Sequence, residues 1–169
     1  MRVLLFGATG MVALGAMREC LLNPAVEALT TIGRSAVVVT DSKLTQMVRA
    51  DLRNYADIED RLTGFDACFF CLGVSSASVS AEEYERVTYG IAVAAAETLI
   101  RLNPGMTFVY VSGAGTDYYE KGRIRWARVK GRTENAIMRL PFRRSYMLRP
   151  GIIQPLHGIQ SKTALYRFF

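Results

Sequence analysis

Histidine is nearly missing from this 169-residue chain: His157 stands alone, beside one tryptophan and three cysteines. A lone imidazole leaves no material for a His-rich metal site or for a Ser-His pair elsewhere, so no metal is expected and His157 reads as a loop residue. Cys20, Cys68 and Cys71 are too few for a disulfide framework. They point to a reducing compartment, with the cytoplasm as the expected location. With 5 prolines and 14 glycines, the chain is neither collagen-like nor disordered in composition. Long apolar runs are lacking too: no window reaches the roughly 18 uninterrupted apolar residues of a membrane-spanning helix, so no membrane span is expected. The opening Met1-Arg2 and the apolar stretch to Met17 superficially resemble a secretory signal. Gly7, Thr9 and Gly10 interrupt that stretch, and a strand followed by a turn explains it better.

What is present is a soluble globular composition, 50% apolar and 21% charged, at the length of one compact domain. The net charge of +6 is local. Between Lys121 and Arg149 stand ten basic residues and one acid, Glu134, so this stretch carries +9 and the remainder −3. It suits a phosphorylated ligand, a polyanion or an acidic partner, and equally a solvated face. Without a helix-turn-helix or another reading element, nucleic acid is an unexpected partner.

Apolar runs alternate with helical patterns. Strands are expected at Val3–Phe6, Ala28–Gly33, Gln46–Ala50, Ala67–Leu72, Met106–Val111 and Ser145–Arg149. Helices are expected at Met11–Leu22, stopped by Asn23-Pro24, at Glu82–Leu102, stopped by Asn103-Pro104-Gly105, and at Arg125–Leu140, with a short helical pattern at Ala56–Leu62. Strands apolar on both faces and separated by helices require a parallel sheet covered on both sides. The expected fold is a doubly wound α/β domain of about six strands, a Rossmann arrangement over residues 1–155. Residues 156–169 read as a tail, the start of a truncated substrate-side segment, with Ala164 to Phe169 as an amphipathic fragment. Cys68 and Cys71 have redox spacing, but a strand places their sulfurs on opposite faces, so both read as core.

The turn Gly7-Ala8-Thr9-Gly10-Met11-Val12-Ala13 lies between the first strand and the first helix, where backbone amides at a helix N-terminus hold a pyrophosphate. Gly7 permits the tight turn, Gly10 lets phosphate approach, and Ala13 lets helix pack on strand. At the end of the second strand, where an acid would bond a ribose 2′-hydroxyl, this chain has Gly33-Arg34-Ser35. Arg34 and Ser35 suit a 2′-phosphate, which favours NADP(H) over NAD(H).

With these residues in view, the chain resembles the atypical and extended short-chain dehydrogenase/reductases, in particular the NAD-dependent epimerase/dehydratase-like branch related to the Tat-interacting oxidoreductase-like proteins. The resemblance covers about Arg2 to Pro155. It rests on the glycine turn, Gly33-Arg34-Ser35, Ala50-Asp51-Leu52, Cys71-Leu72-Gly73, Val111-Ser112-Gly113, Val129-Lys130-Gly131 and Arg149-Pro150-Gly151. It implies that Thr9, Met11 and Val12 belong to the cofactor turn, that Asp51 and Leu52 border the adenine, that Cys71, Leu72 and Gly73 line the ribose and diphosphate side, and that Pro150 contacts the cofactor. In such enzymes a Ser orients the substrate oxygen, a Tyr exchanges the proton, and a Lys four residues later binds the nicotinamide ribose and lowers the Tyr pKa. Ser112 and Lys130 match. The Tyr position is Trp126, whose indole exchanges no proton near neutral pH.

Trp126 stands one helical turn before Lys130, so its indole is expected to project toward the cofactor cleft. Tyr118 and Tyr119 offer phenols from the preceding loop, and Lys130 has an alternative partner in Glu134, four residues on. The expected function is an NADP(H)-binding oxidoreductase or epimerase-like protein acting on a carbonyl or hydroxyl substrate, compatible with a homo-oligomer. The alternative is a catalytically inactive dinucleotide-binding regulator or sensor.

Overall fold

The computed structural model describes residues 1–154 and Leu156. The expected roles of His157, of the Ala164–Phe169 fragment and of most of the 156–169 tail lie outside the described residues. In chain order the elements are β1 (Arg2–Phe6), α1 (Met11–Leu22), β2 (Ala28–Gly33), β3 (Leu44–Val48), a 3-10 segment (Ala56–Leu62), β4 (Ala67–Phe70), α2 (Ala81–Glu85), a π-helical segment (Arg86–Ile91), α3 (Ala92–Leu102), β5 (Thr107–Val111), α4 (Arg125–Met138) and β6 (Arg144–Leu148).

The six strands form one sheet in the order β3-β2-β1-β4-β5-β6, and all five pairings are parallel. The doubly wound α/β expectation is met. Alternation along each strand sends side chains to two cores. Leu4, Phe6, Cys68, Phe70 and Phe108 pack with Ala95, Ala96 and Leu99 of α3 on one face. Val3, Leu5 and Leu29 pack with Ala13, Met17 and Cys20 of α1 on the other. Val3 to Phe6 are fully buried, as a central strand covered on both sides must be. Cys68 joins the first core and Cys71 packs against the second, with all three thiols free. The two sulfurs thus fall on opposite sides of the sheet as expected, although β4 ends at Phe70, short of the expected Leu72, so Cys71 lies just past the strand.

Three departures from the sequence reading have physical causes. First, β3 begins two residues earlier than expected because it is an edge strand with only Met47 buried, so apolar alternation marks it weakly. Gln46 helps hold it, donating to the Val37 carbonyl and accepting from the Val37 amide. Second, Ala56–Leu62 closes with 3-10 rather than α geometry, a form suited to a short connector, with Ile58 and Leu62 buried. Third, the long helix from Ala81 to Leu102 contains six π-helical residues. Both flanks keep the helical period, so the bulge leaves no mark in the hydrophobic pattern.

Strand order reverses between β1 and β4. At such a switch point the connections leave in opposite directions and open a crevice beyond the carboxyl ends of the strands.

Candidate functional site

The crevice is a cleft of about 520 Å³ lined by Gly7, Ala8, Thr9, Gly10, Gly33, Arg34, Ser35, Cys71, Leu72 and Gly73. Gly7 is the residue whose type the backbone dictates. Its φ is +79°, and a Cβ there would lie 2.7 Å from the Leu72 Cα. The Gly7 amide donates to the Ile32 carbonyl at 3.1 Å and the Gly10 amide to the Gly7 carbonyl at 2.9 Å, which closes the turn into α1. Gly10 caps α1 with no side-chain hydrogen bond, and the first turn holds no acid. The leading amides of α1 therefore keep their partial positive charge for an anion, the arrangement a pyrophosphate needs.

Beside the cleft lies a narrower slot of about 80 Å³, lined by Arg34, Ala50, Leu52, Leu72, Gly73, Val74, Arg86, Val87 and Ile91. Its walls are largely aliphatic, and Arg34, Leu72 and Gly73 belong to both spaces. A flat base in the slot and a diphosphate in the cleft would share these residues. Asp51 lines neither space: it is exposed, and its carboxylate accepts from the Arg53 amide at 2.8 Å, a local turn contact. Ala50, Val74, Arg86, Val87 and Ile91 were not singled out as site residues. Val87 and Ile91 read in the sequence only as the inner face of a helix.

A third space, a groove of about 590 Å³, is lined by Met11, Val12, Gly15, Arg18, Glu19, Val111, Leu148, Arg149, Pro150, Ile153, Gln154 and Leu156. Met11, Val12 and Pro150 thus stand apart from the glycine cleft. Lys130 reaches the end of β5 at the groove residue Val111, the residue before Ser112. The Ser112 hydroxyl lies 2.9 Å from that of Thr116, which itself donates to the Gly113 carbonyl, so Ser112 is the donor of the pair. The Lys130 ammonium donates to the Val111 carbonyl at 3.3 Å and lies 5.4 Å from the centre of the Tyr110 ring. Burial lowers its pKa to about 8, against a smaller opposing pull from Glu134.

Glu134 is 1% exposed, and its partner is Arg149, whose guanidinium holds both carboxylate oxygens at 2.5 and 3.0 Å. The i,i+4 pairing with Lys130 is not formed; Lys130 reaches the end of β5, while Arg149 approaches Glu134 from beyond β6. Trp126 lies against the loop after β5, with its ring 3.5 Å from the position of a Cβ on Gly115 and 3.9 Å from one on Gly113. It is not among the residues that line these three spaces. Tyr118 and Tyr119 are exposed and meet edge to face, 5.4 Å apart. The loop carrying them is fastened to α4: Asn135 donates to the Tyr118 carbonyl and to Glu120.

Much of the basic stretch is used locally. Arg132 pairs with Glu85 and stacks on Tyr89 at 4.1 Å, Arg128 donates to the Gly122 carbonyl, and Arg149 holds Glu134. Among the described residues no helix is long and apolar enough to cross a membrane, and no cluster of metal-ligating side chains occurs.

No protein-family model matches the chain. Among curated proteins it is 30% identical over 151 residues to "Protein FMP52-2, mitochondrial" of Scheffersomyces stipitis, covering 88% of this chain and 65% of that protein. It is 31% identical over 157 residues to "Protein fmp52, mitochondrial" of Emericella nidulans, covering 89% and 66%. The chain therefore spans just under two thirds of the length of these relatives. Their names overturn the cytoplasmic expectation. Scarce cysteine speaks only against a disulfide framework and does not choose among compartments.

Among solved structures, UDP-glucuronic acid 4-epimerase from Bacillus cereus in complex with NAD superposes with a TM-score of 0.70 at 15% identity, over 89% of this chain and 56% of that one. A short chain dehydrogenase family protein from Francisella tularensis superposes with a TM-score of 0.69 at 16% identity, over 99% and 72%. The strand order, the switch-point cleft and these superpositions together give the chain the Rossmann fold of the NAD-dependent epimerases and short-chain dehydrogenases.

Proposed function

We propose that residues 1–155 bind NADP(H) and belong to an oxidoreductase or epimerase-like protein acting on a carbonyl or hydroxyl substrate. The observation that carries the reading is the pairing of an uncapped α1 N-terminus with Arg34 and Ser35 on one cleft. The first suits a pyrophosphate. The second supplies a cation and a hydroxyl where an acid would select the unphosphorylated ribose. Bound there, the cofactor would supply hydride exchange. The chain's own part is to hold the diphosphate on the α1 amides, to hold the 2′-phosphate on Arg34, and to keep Ser112 and Lys130 at the end of β5 for the substrate oxygen and the nicotinamide ribose.

Titration calorimetry with NADPH and NADH tests the reading. A charge-assisted contact is worth about 1.5 to 3 kcal/mol, so NADPH should bind roughly tenfold or more tightly, and Arg34→Ala should shrink the difference. Equal affinities in the parent would sink NADP(H) selectivity.

Trp126 supports a second reading, a dinucleotide-binding regulator or sensor without catalysis, because the proton-exchanging phenol is replaced by an indole. General acid catalysis contributes roughly 10² to 10⁴-fold. The regulator reading expects no NADPH-dependent turnover of simple carbonyl compounds by the parent; turnover in the parent favours the enzyme.

A further inference from the structure

The rim of the adenosine slot carries a second guanidinium that the glycine turn and the end of β2 do not announce. Arg34 lines both the cleft and the slot, and Arg86 lines the slot from the π-helical segment, beside Val87 and Ile91. Arg34 is exposed and makes no ion pair or side-chain hydrogen bond among the described residues. Arg86 is engaged: Glu83, one turn earlier on α2, occupies its fork at 2.6 and 2.7 Å. Both members are substantially solvated, with side chains 43% and 36% exposed, and such an i,i+3 surface pair is weak. The Glu83 carboxyl is held below its ordinary range by the Arg86 fork first and, after it, by the positive charge of Arg34. Both guanidiniums therefore bear on the one carboxylate at the rim. Arg53 adds a third cation, its Nε 3.8 Å from the position of a Cβ on Gly90 in the π-helical segment. Asp51 accepts from the Arg53 amide, and its charge also acts on Arg86, after that of Glu83.

A planar guanidinium donates to two oxygens of a phosphate as readily as to two of a carboxylate, and a dianionic phosphate attracts it more strongly than a solvated carboxylate does. We propose that Arg86 is the second cation of the 2′-phosphate site and that Glu83 is its built-in competitor. A phosphate on the adenosine 2′ carbon, met first by Arg34, takes the Arg86 fork from Glu83. A ribose without that phosphate leaves the Arg86–Glu83 pair intact. This rests on the NADP(H) reading above and adds to it a residue that sets selectivity and a carboxylate that opposes it. The π-helical segment then has a role: it puts Arg86, Val87 and Ile91 together on the slot, apolar walls with a cation at the edge.

The test titrates the full chain with adenosine 2′,5′-bisphosphate and with 5′-AMP, two fragments differing in the 2′-phosphate alone. The parent should prefer the bisphosphate at least tenfold. Arg86→Gln should weaken the bisphosphate five- to tenfold more than 5′-AMP, and Arg86→Lys, which keeps the charge without the fork, should recover part of the loss. Glu83→Gln should tighten the bisphosphate a few-fold, and that gain should vanish when it is combined with Arg86→Gln. A parent that binds both fragments equally overturns the NADP(H) reading and this inference with it. A parent preference that collapses in Arg34→Ala but survives Arg86→Gln overturns this inference alone, as does an equal loss for both fragments in Arg86→Gln.

Discussion

Lys130 shows how placement gives one residue its chemistry. Its ammonium ends under the Val111 carbonyl, where burial lowers its pKa to about 8 from the 10.5 of a free lysine. Between these values the unfolded chain binds a proton that the folded chain does not, so this group makes stability rise as pH rises through that window. Below pH 8 the fold carries the full cost of a desolvated charge. Lys130→Met should therefore be more stable than the parent at pH 7 by about 2 kcal/mol, with the advantage fading toward pH 10. Urea unfolding at the two pH values checks this, and an advantage that stays constant with pH would contradict it.

The neighbouring Gly131 is constrained sterically. A Cβ there would lie 1.8 Å from the Asp117 carbonyl oxygen, a backbone atom that moves only with its loop. Gly131→Ala is expected to cost about 2 to 3 kcal/mol, as overpacking against rigid neighbours does, and to loosen the Asn135 contacts to Tyr118 and Glu120. A denaturation midpoint equal to the parent's would show that the loop yields freely.

Among the elements, α1 carries the sharpest expectation. Its capping residue makes no side-chain hydrogen bond and its first turn has no acid, so nothing in the described chain competes for the leading amides. A side chain at residue 10 would stand in the path of an approaching anion and would already meet the Gly7 carbonyl at 3.2 Å. Gly10→Val should remove dinucleotide binding while circular dichroism stays close to that of the parent. Unchanged affinity in calorimetry would rule out the turn as the phosphate site.

The turn was legible because its chemistry is local: glycine at the bend, then a helix start, within seven residues. The slot was only half legible. Leu52 and Gly73 stood out in short motifs, whereas Val87 and Ile91 looked like any buried helical face, and Arg86 like any solvated charge. A π-helical bulge adds no residue type of its own to the pattern, so its effect on where these side chains point is tertiary.

For the whole molecule, charge and topology lead to different conclusions. The stretch from Lys121 to Arg149 reads in sequence as a strongly basic surface, but four of its ten bases hold α4 to its neighbours through Val111, Gly122, Glu85 and Glu134. The other six bases have no such described role in holding α4. A basic patch of this kind gives weak, salt-sensitive association with nucleic acid. Gel-shift titration at physiological salt should show no sequence-selective complex at submicromolar protein, and a selective complex would mean that the patch has a reading element after all.

The sequence by itself determined the parallel sheet, the helices between its strands and the glycine turn into α1, because each depends on residue type and short-range period; that Trp126 stands where a phenol is expected came from the family resemblance. Residue type also made Arg34 a candidate for a 2′-phosphate. Only the tertiary structure decided that Glu134 belongs to Arg149 and not to Lys130, that Trp126 covers Gly113 and Gly115, and that Arg86 shares a rim with Arg34. These are contacts between residues far apart in the chain or choices between two nearby partners. Their outcome follows from where the parallel crossovers set each helix against the sheet, a geometry that no local pattern encodes.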